Sequence, residues 1–167
     1  MKSIFQSLFD TPGTTESRKT IRMLAVKAVY ERQVIRENAP EYLTTKRFTS
    51  PEQIYEAFCE LRQETREHFI TLHLDCKNRI ICFDRVSVGS LNQCVVHPRE
   101  VFKAAALSSA ASILLMHNHP TADPTPSRED IAITRRLKEA GELLGILVLD
   151  HIIIGDGYYS FAEHGAI

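Results

Sequence analysis

Two histidines separated by one residue, His117 and His119, close the apolar run Ser112-Ile-Leu-Leu-Met116, and a carboxylate, Asp130, follows one proline-rich loop later in "HNHPTADPTPSRED". Imidazoles and carboxylates are ligands for divalent transition metals, and a catalytic zinc takes three such protein donors while keeping a further position open for water. Alternate residues of a strand project from the same face, so a strand ending at His119 can aim both rings into one crevice. Asp130 lies in the first turn of a helix opened by Ser127, and the intervening loop is long enough to bring that turn back over the strand end. Pro120, Pro124 and Pro126 stiffen the loop, which lowers the entropy lost in holding the three groups together. Crevices beyond the carboxyl ends of strands are where α/β sheets usually place their chemistry. A plainer account stands beside this one: Ser127-Arg-Glu-Asp130 is by itself a capping-box-like helix start. The literal tripeptide His-Asn-His is no sign of an HNH nuclease, whose residues are dispersed along the chain.

The elements that must position these residues follow from periodicity and punctuation. Residues 1–16 lack any period and read as a leader, and from Ser17 to about Glu37 the pattern fits either a helix face or a strand through "MLAVKAVY". Ser50-Pro51-Glu52-Gln53 predicts a capped helix start, with Ile54, Ala57, Phe58 and Leu61 as its apolar stripe. After Glu67 the period changes to two, and "DCKN" turns the strand through Phe69, Thr71 and His73 into a second, "RIICFDRVSV". "GSLNQ" reads as a loop and "CVV" as a short strand. Pro98 then opens a helix that buries Val101, Ala105 and Ala106, with His97 as its cap. "SILLM" predicts a central strand covered on both faces. The helix opened by Ser127 carries Ile131, Thr134, Leu137 and Lys138 at helical spacing as far as Gly141. "GILVLDHIII" is a β-branched strand, and Asp156-Gly157 turns it into "YYSF", where Tyr158 and Tyr159 read as hairpin packing. Crossovers mixed with hairpins predict an α/β fold: a mixed sheet flanked by helices, one domain over 49–167 with an N-terminal extension over 1–48.

Composition narrows the function classes. The 167 residues can bury a real core. Lys and Arg number 20 against 21 Asp and Glu, so a global basic surface of the kind that binds nucleic acid is excluded. Arg18, Lys19, Arg22 and Lys27 cluster locally, as a solvated face also does. Cys59, Cys76, Cys82 and Cys94 form no CxxC pair and read as buried free thiols. The opening residues lack a signal-peptide core, and no apolar run reaches the ~20 residues of a membrane span. The expected location is the cytoplasm, with the thiols reduced.

The string H-x-H-P, six further residues and S-x-x-D resembles the JAMM motif of JAB/MPN-type metallopeptidases. Asn118, where those enzymes usually carry serine or threonine, resembles the RadC branch, also called the UPF0758 family. "VGSLNQCVVHPREVF", "DPTPSREDIAIT" and "LGILVLDHIIIGDGYYSFAEHG" extend the likeness over about residues 50–167. The N-terminal helix-hairpin-helix region of longer RadC proteins has no counterpart in these residues, so DNA binding is possible only through the family association.

The resemblance implies a JAB/MPN-like fold and a zinc-dependent hydrolase acting on a peptide or isopeptide bond in a protein substrate. His117, His119 and Asp130 would be the metal ligands, with nickel, manganese or iron as alternatives to zinc. It implies Glu67 as general base, with Glu64 as the fallback, and Ser127 as the donor to the developing oxyanion. Read without the resemblance, Glu67 is a solvated helix-terminal carboxylate. His151, near a strand end, is a partner behind a ligand, a substrate contact or a core histidine. The competing function is a non-catalytic accessory module in DNA repair or mobile-element biology. A metallonuclease is a distant third, since its carboxylate-rich two-metal set is not visible.

Overall fold

The computed structural model describes residues 23–35, 50–89 and 96–167. Ser50 caps helix α1 (Pro51–Phe58), its hydroxyl accepting from the Gln53 amide at 3.4 Å. The helix tightens into a 3-10 turn over Cys59–Gln63 and leads to strand β1 (His68–Leu74). Strand β2 (Ile80–Val88), helix α2 (Pro98–Leu107), strand β3 (Ser112–Asn118), helix α3 (Arg128–Leu144) and strands β4 (Leu147–Gly155) and β5 (Gly157–Ser160) follow. The sheet runs β2-β1-β3-β4-β5. Only the β3–β4 pair, whose connection carries α3, is parallel; the other neighbours are antiparallel. This is the mixed α/β architecture expected from the residue pattern.

The sheet is sandwiched, which explains the composition of its central strands. One face presents Phe69, Ile113, Leu115 and Val148 to Val101, Phe102 and Ala105 of α2 and Leu137 of α3. The other presents Ile70, Leu72, Met116, Ile152 and Ile154 to Ile54 and Phe58 of α1. Burying each such side chain contributes about 1.5–3 kcal/mol. All seven residues of β1 are buried, polar ones included. Ser108 donates to the Ala105 carbonyl at 3.0 Å, so its oxygen accepts from His73 Nδ1 at 2.8 Å, and His73 Nε2 then accepts from Thr71 at 3.0 Å. That chain satisfies Thr71 and His73 beneath the end of α2.

Five local expectations change, the first being that Ala106 of α2 stands exposed while Phe102 takes its place in the core. Residues 23–35 form neither helix nor strand, because their side chains stand exposed with no backbone ladder to pair them. Helix α3 runs past Gly141 to a left-handed cap at Gly145 (φ 69°). Gly141 is needed for contact instead: a Cβ there would stand 2.5 Å from the Ile146 carbonyl. The inward stripe of α3 is Asp130, Thr134, Leu137 and Gly141, while Ile131 faces solvent, since the stripe is rotated to bring Asp130 over the sheet end. Cys76 is exposed in the β1–β2 turn, whereas Cys59 and Cys82 are half-buried. The readings for residues 1–22, for "GSLNQ" beyond Gly89 and for most of "CVV" lie outside the described residues, as do Arg18, Lys19, Arg22 and Cys94. Among the described residues, no helix is long and apolar enough to cross a membrane.

The β1–β2 turn is held by one carboxylate. Asp75 accepts from the amides of Lys77 (2.8 Å) and Arg79 (3.0 Å) and from Arg79 Nε (2.7 Å). The Arg79 amide, then its guanidinium, hold the Asp75 carboxyl down at about 2. A depressed folded-state value means the contribution is present above the ordinary carboxylate range and is lost as pH falls from about 3.8 through about 2. Asp75→Asn is therefore expected to lower Tm at pH 6, and thermal melts should show the gap closing as the pH approaches 2.

Candidate metal centre

Strand β3 is wedged between β1 and β4, and its carboxyl end carries the two histidines. Phe69 of β1 and Ile153 of β4 pair with His117 on either side. The His117 ring stacks on Phe69 (centroids 5.9 Å apart) and is 1% exposed. His119 lies just past the strand. Its amide donates to the Ile154 carbonyl at 2.9 Å, and its Nδ1 lies 2.7 Å from the Asp123 carbonyl. A carbonyl only accepts, so Nδ1 carries the hydrogen and Nε2 is the nitrogen left to face the site. Gly155 makes room for this loop: a Cβ there would stand 2.3 Å from the Ala122 carbonyl oxygen.

Asp130 arrives from the first turn of α3 through a reciprocal capping box. Its Oδ2 accepts from the Ser127 amide (2.7 Å) and hydroxyl (2.6 Å), while the Asp130 amide donates back to Ser127 Oγ at 3.1 Å. The helix N-terminus also favours a negative charge there. The capping account and the ligand account are thus one device, because the cap is what aims the carboxylate.

His117, His119 and Asp130 converge as a possible metal-binding cluster, with one donor atom from each within 4.8 Å of the others. The closest separations are 3.0 Å between the two Nε2 atoms, 3.2 Å from His117 Nε2 to Oδ1 and 3.4 Å from His119 Nε2 to Oδ2. Donors placed tetrahedrally ~2.0–2.2 Å from one ion lie ~3.3–3.6 Å apart, so the set, at 3.0–3.4 Å, fits a single small divalent cation. The electrostatics agree. Burial alone would raise the Asp130 carboxyl, but the hydrogen bonds of His117 and His119 hold it far below the usual range. Burial alone would lower His119, yet its bonds to Asp130 and Asp123 leave it raised. An anion clasped by two imidazoles is a place for positive charge.

Glu67 stands just before β1, and extending the Phe69–His117 register by two residues puts it opposite His119. Burial pushes its carboxyl above the ordinary value; His117 and then His119 pull against that rise and Asp130 adds to it, so its field couples to all three. The fallback Glu64 is directed elsewhere, its carboxylate 3.6 Å from His68 Nε2. His97 is the cap of α2, as expected, and accepts from the Arg99 amide at 3.4 Å.

Two supports, Asn118 and Thr134, escaped the reading of the sequence, which names His151 as a partner behind a ligand among its alternatives. Asn118, fully buried between the histidines, accepts from the His68 amide at 2.8 Å and donates to the Arg66 carbonyl at 3.0 Å. It thereby grips the backbone on both sides of Glu67. Its departure from serine or threonine was the available signal, since a hydroxyl cannot reach both groups. His151 is fully buried behind His117, with its Nε2 2.8 Å from His117 Nδ1. Burial, then His117, lower it well below the ordinary histidine value, with Asp130 opposing. Thr134 closes on His151 Nδ1 at 2.6 Å, and only its place on the inward stripe of α3 marked it. Asp150 packs the C-terminal segment by accepting from Ser160 Oγ (2.6 Å) and the Ala162 amide (2.9 Å).

A helix-flanked mixed sheet with an H-x-H…D cluster at a strand end is the arrangement of a JAB-type domain. The RadC-like JAB domain family matches residues 48–166, and the chain belongs to that family. It is 66% identical over 123 residues to a UPF0758 protein of Pelobacter propionicus, covering 72% of this chain and 54% of that one. A UPF0758 protein of Geotalea uraniireducens is 61% identical over 132 residues, 78% of this chain and 58% of its own. One from Geobacter sulfurreducens is 51% identical over 150 residues, 89% and 66% respectively. The chain thus spans roughly half to two-thirds of the curated relatives it matches.

Asn118→Ala would strand the buried His68 amide hydrogen, at about 1–3 kcal/mol, and leave the part-buried Arg66 carbonyl to water. Urea unfolding of the metal-free protein is expected to show that loss. Asn118→Ser, too short to span both, should recover little of it.

Proposed function

We propose that this domain is a zinc-dependent hydrolase of the JAMM type that cleaves a peptide or isopeptide bond in a protein substrate. One observation carries the reading: three donors spaced for a single ion, with a half-buried carboxylate, Glu67, coupled to them from just before the neighbouring strand. A site that served only to hold the fold together would have no use for that fourth group. His117, His119 and Asp130 would hold the ion, and an imidazole-rich set of three favours zinc. When bound, zinc acidifies a water toward neutrality and polarises a carbonyl.

The remaining steps belong to the chain. Glu67, held by the Asn118 grip, takes the proton from the attacking water and returns it to the departing amine nitrogen, so that one C–N bond breaks as one C–O bond forms. The elevated value of its carboxyl suits it to both halves of that transfer. Ser127 is exposed, and its hydroxyl hydrogen is directed at Asp130 Oδ2. Rotation about its side-chain bond would redirect that hydrogen to the oxygen on which charge develops, a contact worth about 3 kcal/mol in comparable sites. The net charge of −1 gives no support to nucleic acid as substrate.

Metal analysis of the purified protein and a peptide-library cleavage screen, each with and without chelator, test the reading. Asp130→Ala is expected to lose the metal. Glu67→Gln should keep it and lose turnover by about 10²–10⁴-fold. Full turnover in Glu67→Gln would defeat the base assignment. Bound metal with no cleavage of any peptide would favour the accessory module in DNA repair or mobile-element biology.

A further inference from the structure

The hydrogen bonds behind His117 leave little freedom in where its proton resides. Thr134 Oγ1 lies 2.5 Å from the backbone carbonyl oxygen of Asp130 and 2.6 Å from His151 Nδ1. Two oxygens that close require a hydrogen between them, and a carbonyl has none to give. The hydroxyl hydrogen of Thr134 is therefore spent on the Asp130 carbonyl, and the threonine oxygen must accept from His151. With its hydrogen on Nδ1, His151 offers a bare Nε2, and the atom facing it at 2.8 Å is His117 Nδ1. His117 must then donate from Nδ1, which in the neutral ring leaves its Nε2 without a hydrogen.

That Nε2 is the atom aimed at His119 and Asp130. The Asp123 carbonyl sets His119 in the same tautomer, so two ring lone pairs meet 3.0 Å apart beside a carboxylate. A proton on one ring or a metal cation between the two relieves that opposition, and the ion needs both lone pairs free. The reverse order of donation would place a hydrogen on His117 Nε2, where the ion needs an electron pair.

We propose that Thr134 acts through His151 to fix the tautomer of His117, making the two residues a positioning relay that keeps a ligand nitrogen free for the metal. The relay begins and ends on the candidate site, since its first acceptor is the backbone of Asp130 and its last donor is His117. Helix α3 thus supplies a ligand from one turn and orients a second ligand from the next. The relay rests on His117 being a ligand, as proposed above. Partners behind ligating histidines usually contribute 10–100-fold in metal affinity.

Thr134→Val keeps the shape and removes the hydroxyl, while Thr134→Ser keeps the hydroxyl. Zinc affinity is measured by competition with a chromophoric chelator, alongside circular dichroism of each variant. Thr134→Val is expected to bind zinc about 10–100-fold more weakly with an unchanged fold, and Thr134→Ser to stay within a few-fold of the parent. Ring 15N shifts of the metal-free protein provide the second readout: His117 should be the Nδ1–H form in the parent and in Thr134→Ser, and lose that preference in Thr134→Val. Equal zinc affinity in Thr134→Val, an unchanged His117 tautomer there, or equal losses in both variants would each overturn the relay. A parent protein that takes up no zinc would sink the metal reading instead, and the tautomer measurement, made without metal, would still decide the relay.

Discussion

The site depends on where β3 stops. Its last residues are clamped on one side by the antiparallel ladder to β1 and on the other by the parallel ladder to β4, so His117 cannot shift without breaking both. Everything that converges on the cluster is measured from that fixed end. Glu67 approaches from the start of β1, Asp130 from the helix that crosses to β4, and His119 from the loop that leaves the strand. A strand with two ladders has less positional freedom than a loop, which is why donors placed on or beside it can hold separations near those of a coordination sphere.

Around that end, several residues do positional work that their own chemistry does not advertise. Ser127 completes a helix cap and in doing so orients a carboxylate. Asn118 satisfies two backbone groups that β1 leaves unpaired, and the residue between them is Glu67. Gly155 contributes only the absence of a side chain, letting the His119 loop lie against β4. Phe69 and Phe161 stack on His117 and His151, excluding water from the histidine pair. In each case an ordinary structural requirement, whether a cap, a satisfied amide or a close contact, also fixes a group with chemical potential.

Much of this was legible in the residue order. The two ring positions and the capped Asp130 follow from local rules of strand alternation and helix initiation, both short-range. The β1–β2 hairpin follows from its turn residues, and the sandwiched β3 from its unbroken apolar run. The extent of α3 was less legible, because Gly141 has the signature of a helix end and serves a contact with Ile146 from the next strand. Ile131, at helical spacing from Thr134, stands exposed for a related reason: helical spacing gives the width of a stripe but not its rotation about the axis.

The sequence by itself determined which groups exist and which could share a face: an H-x-H pair, a helix-start aspartate, a carboxylate before a strand, a buried-type histidine in a β-branched run. Spacing along a chain carries that information because alternation and helical pitch are local. Which histidine nitrogen faces the cluster, which of two glutamates lies beside it, and that Thr134 and Asn118 take part were decided only by the fold. The His117 tautomer and the Asn118 grip depend on hydrogen bonds between residues 17 to 52 positions apart, and the direction of a proton along such a chain is a property of the assembled network.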